Sequence, residues 1–337
     1  MRNQLTQTRS LAARLEERLL VPAYSSRWAF APIAAHRGLS LPLQLVGQMR
    51  RRTVAFSGIP VKLVEIGREK LINGLLTRLF GELPPPALQD RRALWNPAAL
   101  ALDDEADIIL AEVHRWMASR FRRAGWMIVP SSVRWVGELA TIPPANRSHG
   151  LRENLRKLRK QGFQIEQANT AEDWNQFYTE MVQPQAVARH GSIAWLPSRS
   201  LISEFARAGT LHLITREGER VAGICTVPRG DTLWLAISGV RHGDAALLRA
   251  GAGFATLALT IEWARAQGYR RLDAGRTGPF TNDGLQQFKR KWGLVPIPDP
   301  LAHQVAVRLN SVAVRQVFAR APVLTEAETG LLAYAGE

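Results

Sequence analysis

Between Thr210 and Gly275 the spacing of apolar residues changes twice, and no other feature constrains the chain as tightly. TLHLITRE, RVAGICTVP and DTLWLAISG are short β-rich runs separated by the turn segments EGE and RGD, which predicts an antiparallel meander. Ala250 to Gln267 then reads as a helix so nearly apolar all round that it must be buried, closed by Gly268 at the C′ position. A strand, YRRLDAG, follows it. Three antiparallel strands, a crossover helix and a further strand beside the last give a sheet that turns from antiparallel to partly parallel. Ligands of open α/β sheets bind in the crevice at such a change. The fold class expected is α/β (α+β), a mixed sheet flanked by helices.

Pro and Gly mark the outline upstream. PPP at 84 to 86 and IPPANRSHG from Ile142 to Gly150 punctuate the chain, and the second places a domain boundary near 147. Three segments follow: an α/β companion domain over 1–147, a second domain over 148–310 and a helical tail over 311–337. In the first, ADIILAEVHRWMASRFRRAG puts Ile109, Val113, Trp116 and Phe121 near one face of a helix that Gly125 ends, and WMIVPSS reads as a strand. In the second, Leu151, Leu155 and Leu158 share one face of a helix from Gly150 to Gln161, with Arg152, Arg156 and Arg159 on another. Thr170 with Asp173 forms a capping box, and Ser198 caps the helix after it. No fixed-period repeat is visible.

Composition excludes several classes. The 337 residues are 46% hydrophobic and 22% charged, a globular chain rather than a disordered one. The longest apolar runs, Trp28 to Ala35 and Ala250 to Ile261, are too short to cross a bilayer, which needs roughly 20 residues. The first twenty residues mix Arg and Glu into the apolar positions and contain no signal-peptide core, so the expected location is cytoplasmic, with peripheral membrane contact left open. The one cysteine, Cys225, sits in the apolar run VAGICTV and is expected to be buried. The histidines lack metal-ligand spacing, so no metal is expected. A net charge of +15, spread over both halves, favours polyanionic ligands such as CoA, nucleotide-linked sugars or tRNA.

Lysine is scarce, six against 38 arginines, yet Lys157, Lys160, Lys289 and Lys291 fall in two short segments. One of these is LDAGRTGPFTNDGLQQFKRKWG, Leu272 to Gly293. Its glycines make a tight loop after a strand, and Asn282 and Asp283 can cap a helix that carries Lys289 and Arg290 beside Phe288 and Trp292. A loop and helix start with fixed cations suit an anionic transition state. Asp283 or Asp273 is a candidate proton acceptor, or else a local cap and a strand-end residue. Arg276 can hold a phosphate or carboxylate by bidentate hydrogen bonds. His190 has the unperturbed pKa of a base. Arg152, Arg156 and Arg159 present either a phosphate-gripping face or a merely solvated one.

Strand, D-x-G-R-[ST], a short loop, N-D-G-L and then F-K-R-x-W-G resembles the C-terminal part of the GNAT superfamily branch that holds the FemAB aminoacyltransferases and the CelD-like acetyltransferase domains. The basic helix NLRKLRKQGF and the ARHG of Ala188 to Gly191 sit at matching earlier places, so the resemblance spans about 148 to 300. It implies two GNAT-like halves with the C-terminal one catalytic, and transfer of an acyl or aminoacyl group to an amine. It further implies that Phe288 and Lys289 handle the donor and stabilise the tetrahedral intermediate, the alternative for Lys289 being a solvated lysine on an amphipathic helix; Asn282 and the three arginines are the candidate substrate-binding residues. The pyrophosphate loop of acetyl-CoA enzymes, R/Q-x-x-G-x-G/A, departs here: LLRAGAGFA offers Arg249, Gly251 and Gly253 with one residue fewer, either a shifted loop that still presents both glycines to a pyrophosphate or a glycine pair that permits close helix packing. The long coiled-coil arm of some Fem proteins is absent.

The function expected is therefore N-acyl transfer from acyl-CoA, acetyl-CoA included, to an amine of a sugar, peptide or cell-envelope precursor. A Fem-like enzyme using aminoacyl-tRNA is the first alternative, with a salt-dependent donor complex. The second is a non-catalytic polyanion-binding module on the same scaffold.

Overall fold

The computed structural model describes residues 46–103, 105–191, 196–311 and 314–336. The run Trp28 to Ala35 and the segment expected to lack a signal peptide lie outside the described residues. In chain order come strands β1 (Val46–Phe56) and β2 (Ile59–Ile66), helix α1 (Glu69–Phe80), strands β3 (Ala87–Ala93) and β4 (Ile108–Val113), helix α2 (Ala118–Arg123) and strand β5 (Met127–Pro130). Strand β6 (Val133–Glu138), helix α3 (His149–Lys160), strand β7 (Gln164–Ala168) and helices α4 (Ala171–Gln176), α5 (Gln183–His190) and α6 (Arg199–Ala208) follow. Next are β8 (Thr210–Arg216), β9 (Glu219–Arg229), β10 (Thr232–Val240), α7 (Ala245–Ala250), α8 (Ala252–Ala266) and β11 (Arg271–Thr277). Helix α9 (Gly284–Lys291), strands β12 (Val295–Pro298) and β13 (Gln304–Leu309), helix α10 (Arg315–Arg320) and strands β14 (Val323–Ala327) and β15 (Gly330–Tyr334) complete the described residues.

Two compact units divide these elements. One, the meander unit, is built from 136–275 and 291–294; the other, the α1 unit, from 46–135, 276–290 and 295–336. The division differs from three consecutive segments with limits near 147 and 310, because residues 276–290 belong to the α1 unit and the loop that follows β11 bonds there. There Thr281 N donates to Pro322 O at 2.8 Å and Leu324 N to Pro279 O at 2.8 Å. The expected helical tail also differs: after α10 the chain pairs β14 with β15 as an antiparallel hairpin.

In the meander unit the sheet runs β6-β11-β10-β9-β8-β7. β7 through β10 are antiparallel, as the alternating runs predict, and β10 pairs with β11 in parallel over three residues, Thr232 with Arg271 through Trp234 with Asp273. The crossover between them is α8, whose Ala255, Ala258, Ile261 and Ala264 are buried. Gly268 ends it with φ +80°, the left-handed conformation a C′ residue takes. The capping box of Thr170 and Asp173 is present at α4, and Ser198 accepts from Leu201 N at the start of α6. Between α4 and α5 the chain forms a π-helical segment over Phe177–Val182, which buries Phe177 and Met181. Cys225 is buried, and desolvation raises its thiol pKa.

The sheet of the α1 unit runs β3-β1-β2-β4-β13-β5. β2 and β4 are parallel, and their side chains alternate between two cores. Leu63, Ile108 and Leu110 pack with Ile72, Leu76 and Phe318, while Val64, Ile109 and Ala111 pack with Phe121 and Trp126. This corrects the helix expected from Ile109 to Phe121. Residues 108–113 are a strand buried on both faces, so their apolar run is continuous and carries no period of two. The helical part is confined to a turn at Arg115–Met117 and to α2, and Gly125 (φ +80°) does end it.

Candidate functional site

The segment with the FKRKWG block is built around buried polar side chains. Within β11 the Asp273 carboxylate, only 1% exposed, closes a tight turn by accepting Gly275 N at 3.0 Å. Gly275 takes φ +72°, and a Cβ there would lie 3.1 Å from Leu235 O, so glycine alone fits the turn. Asp273 therefore holds the backbone of β11 at this turn.

Beyond the turn, within the α1 unit, the loop 276–283 is tied to α9. Lys289 is 5% exposed and its Nζ donates to Arg276 O at 3.2 Å; Gln286, fully buried, donates through Nε2 to Gly278 O at 2.5 Å. Thr277 Oγ1 accepts from Trp135 Nε1 at 2.8 Å. Asp283 caps α9, its Oδ1 accepting Leu285 N at 2.8 Å and Gln286 N at 3.3 Å. Asn282 donates to Arg320 O at 3.0 Å, a contact that anchors the loop. Arg276 pairs with the buried Asp299, Nε to Oδ2 at 3.2 Å, and Asp299 also accepts Ser132 Oγ at 2.7 Å. Phe288 is half-buried on α9. The structure thus brings Arg276, Asn282, Asp283, Phe288 and Lys289 into one loop-helix assembly with Lys289 as its buried cation.

A second group lies in the meander unit. Gly251, with φ +95°, separates α7 from α8 and serves as the N-cap of α8. The crossover helix therefore opens on a glycine, and its first N–H groups have no intrahelical acceptor. Gly253 is exposed in the first turn and Arg249 is exposed in the last turn of α7. A Cβ on Gly251 would lie 3.8 Å from Gln161 Oε1, so the end of α3 lies beside the start of α8. That end carries Lys157, Arg159 and Lys160, all exposed. Arg152 and Arg156 are exposed on the same helix. Arg156 pairs with Glu153 at 2.7 Å, which lowers the carboxyl pKa and raises that of the guanidinium, and Arg152 donates to Arg147 O at 3.2 Å. His190 ends α5; its side chain lies outside the described residues.

Three lining residues of a cavity in the α1 unit were not anticipated: Lys70, Gly74 and Arg78 of α1, which face Gly278, Phe280 and Asp283. The signal for them is a glycine inside an amphipathic helix between two cations. Among the described residues no group of His, Cys, Asp and Glu is placed to hold a metal ion, and no helix is long and apolar enough to cross a membrane.

Residues 145–290 match the family model described as an acetyltransferase (GNAT) domain. No curated protein matches the chain. Among solved structures, L-PGS from Bacillus licheniformis is 16% identical with a TM-score of 0.42, covering 77% of this chain and 85% of its own. FemX is 12% identical with a TM-score of 0.41, covering 77% and 88%. A GCN5-related N-acetyltransferase from Sphaerobacter thermophilus is 16% identical with a TM-score of 0.35, covering 59% and 58%. Residues 145–290, on a mixed α/β frame, are therefore similar to a GNAT acetyltransferase domain.

Proposed function

We propose that the chain is an N-acyltransferase that takes its acyl group from acyl-CoA and delivers it to an amine. The observation that carries this reading is the start of α8. A left-handed Gly251 opens the crossover helix between two parallel strands, and the cationic end of α3 lies next to it. A helix N-terminus together with nearby lysine and arginine suits the pyrophosphate of CoA.

In the reaction the neutral amine nitrogen attacks the thioester carbonyl. The C–N bond forms, the C–S bond breaks through a tetrahedral oxyanion, the CoA thiolate leaves, and the nitrogen sheds its proton to solvent. Lys289 is the cation we assign to the oxyanion. Its ammonium is shielded from water and fixed on a carbonyl at the loop, the setting in which a charge stabilises a developing anion most strongly. Asp273 and Asp283 already accept main-chain amides and act as positioning residues in this scheme.

The test is release of free CoA thiol from acetyl-CoA and longer acyl-CoAs in the presence of a panel of amino sugars, peptides and cell-envelope precursors. Amine-dependent release that Lys289→Gln abolishes supports the reading. Absence of release with every pair, alongside salt-sensitive binding of aminoacyl-tRNA, transfers the donor role to the tRNA.

A further inference from the structure

We infer that the cavity between α1 and the loop 278–283 is a binding site for a small amphipathic anion, an apolar chain ending in a carboxylate or phosphate. The cavity lies wholly within the α1 unit and measures about 360 Å³, in the range of sites that enclose small ligands. Its walls divide by chemistry. Leu71, Leu75, Val129, Phe280 and Val305 line the apolar part, and all but the half-buried Leu71 are buried. Lys70 and Arg78 stand exposed beside it, and the Arg78 guanidinium lies 5.9 Å from the centroid of the Phe280 ring.

Asp283 is the one acidic residue on the lining, and its Oδ1 is engaged by the two amides of the helix it caps. A carboxylate at a helix N-terminus has its charge offset by those amides. The two cations are therefore left to set the sign of the site.

The glycine is the second observation. Positions 70, 71, 74, 75 and 78 follow helical spacing, so they form one face of α1, and that face lines the cavity. Gly74 sits in its middle. Glycine inside a helix is destabilising relative to alanine. Close packing does not call for it here, because a Cβ at 74 would meet nothing within 4 Å. Its φ is not positive either, so backbone conformation does not demand it. What the missing side chain leaves is space between Lys70 and Arg78. The opposite wall is rigid: Gln286 holds Gly278 O, Leu324 N holds Pro279 O, and Phe280 bridges to Val323.

The site shares the loop 278–283 with the acyl-transfer reading but can be tested without it, because Lys70, Gly74 and Arg78 take no part in that reaction. Octanoate, octyl phosphate, octylammonium and 1-octanol are titrated calorimetrically into the full chain. Saturable binding of octanoate or octyl phosphate, with the cation and the alcohol bound at least about tenfold more weakly, is the expected result. The preferred anion identifies the head group. Gly74→Phe, which fills the space, is expected to abolish binding, while Gly74→Ala keeps it and raises the melting temperature. Replacing Lys70 and Arg78 by glutamine is expected to weaken anion binding about tenfold and leave 1-octanol unchanged. Equal binding of octylammonium, unchanged binding in folded Gly74→Phe, or no saturable binding of either anion would overturn the assignment.

Discussion

The Lys289 ammonium donates to the main-chain carbonyl of Arg276 across 3.2 Å, joining α9 to the end of β11 by a buried charge-assisted bond. Removing the side chain deletes this bond, and a hydrogen bond to a charged group contributes about 1.5–3 kcal/mol. Lys289→Ala is therefore expected to lose stability as well as activity. Lys289→Gln keeps a donor and should fold with a smaller loss. Its kcat is expected to fall by about two orders of magnitude or more if Lys289 stabilises the oxyanion. Denaturant melts and steady-state rates on the two variants separate the roles, and a wild-type kcat in Lys289→Gln removes Lys289 from the chemistry.

His212 is fully buried on β8, where Nε2 meets Thr226 Oγ1 at 2.9 Å and the ring lies 4.3 Å from the Trp263 ring. Desolvation pushes its pKa down to about 4 from 6.5. The unfolded chain therefore binds a proton between these values that the folded one refuses. The stabilisation is complete above pH 6.5 and is lost as the pH falls towards 4, by at most about 3 kcal/mol at 1.36 kcal/mol per pKa unit. His212→Gln is expected to flatten the fall in melting temperature between pH 6.5 and pH 4. An unchanged slope assigns the acid sensitivity to other groups.

Glu65 is fully buried on β2, held by Arg52, which also reaches Asn73 Oδ1 of α1 at 2.9 Å. Burial raises the Glu65 pKa against the pull of Arg52 and Arg50. Arg52→Met leaves the carboxylate only its 3.8 Å pair with the buried Arg50 and is expected to cost about 3–5 kcal/mol, whereas the triple variant Arg50→Met, Arg52→Met, Glu65→Leu costs much less because all three charges leave together. Chemical denaturation of the two variants checks this, and additive losses would contradict it.

The meander unit was legible because β8 to β10 combine turn punctuation with β-rich runs, and α8 is too apolar to lie anywhere but inside. Residues 108–113 were not, since a strand buried on both faces repeats hydrophobics at every position and imitates one side of a helix. At the candidate site, Asp283 as a cap and Gly251 as a helix start follow from local backbone chemistry, which a linear pattern records. The burial of Lys289 does not, because a lysine between a phenylalanine and an arginine looks the same in water or beneath a loop. Lys70 and Arg78 are equally silent in one dimension: their relation to Phe280 exists only once α1 and the loop 276–283 have packed on the same core.

Isothermal titration of acetyl-CoA into the full chain, in wild type and in Gly251→Val, tests the donor assignment most directly. Valine cannot take the left-handed backbone that opens α8 without strain. The account predicts saturable binding with one site per chain, weakened about tenfold or more in the variant while circular dichroism shows the fold retained. Absence of binding to wild type, or equal affinity in both proteins, would contradict it.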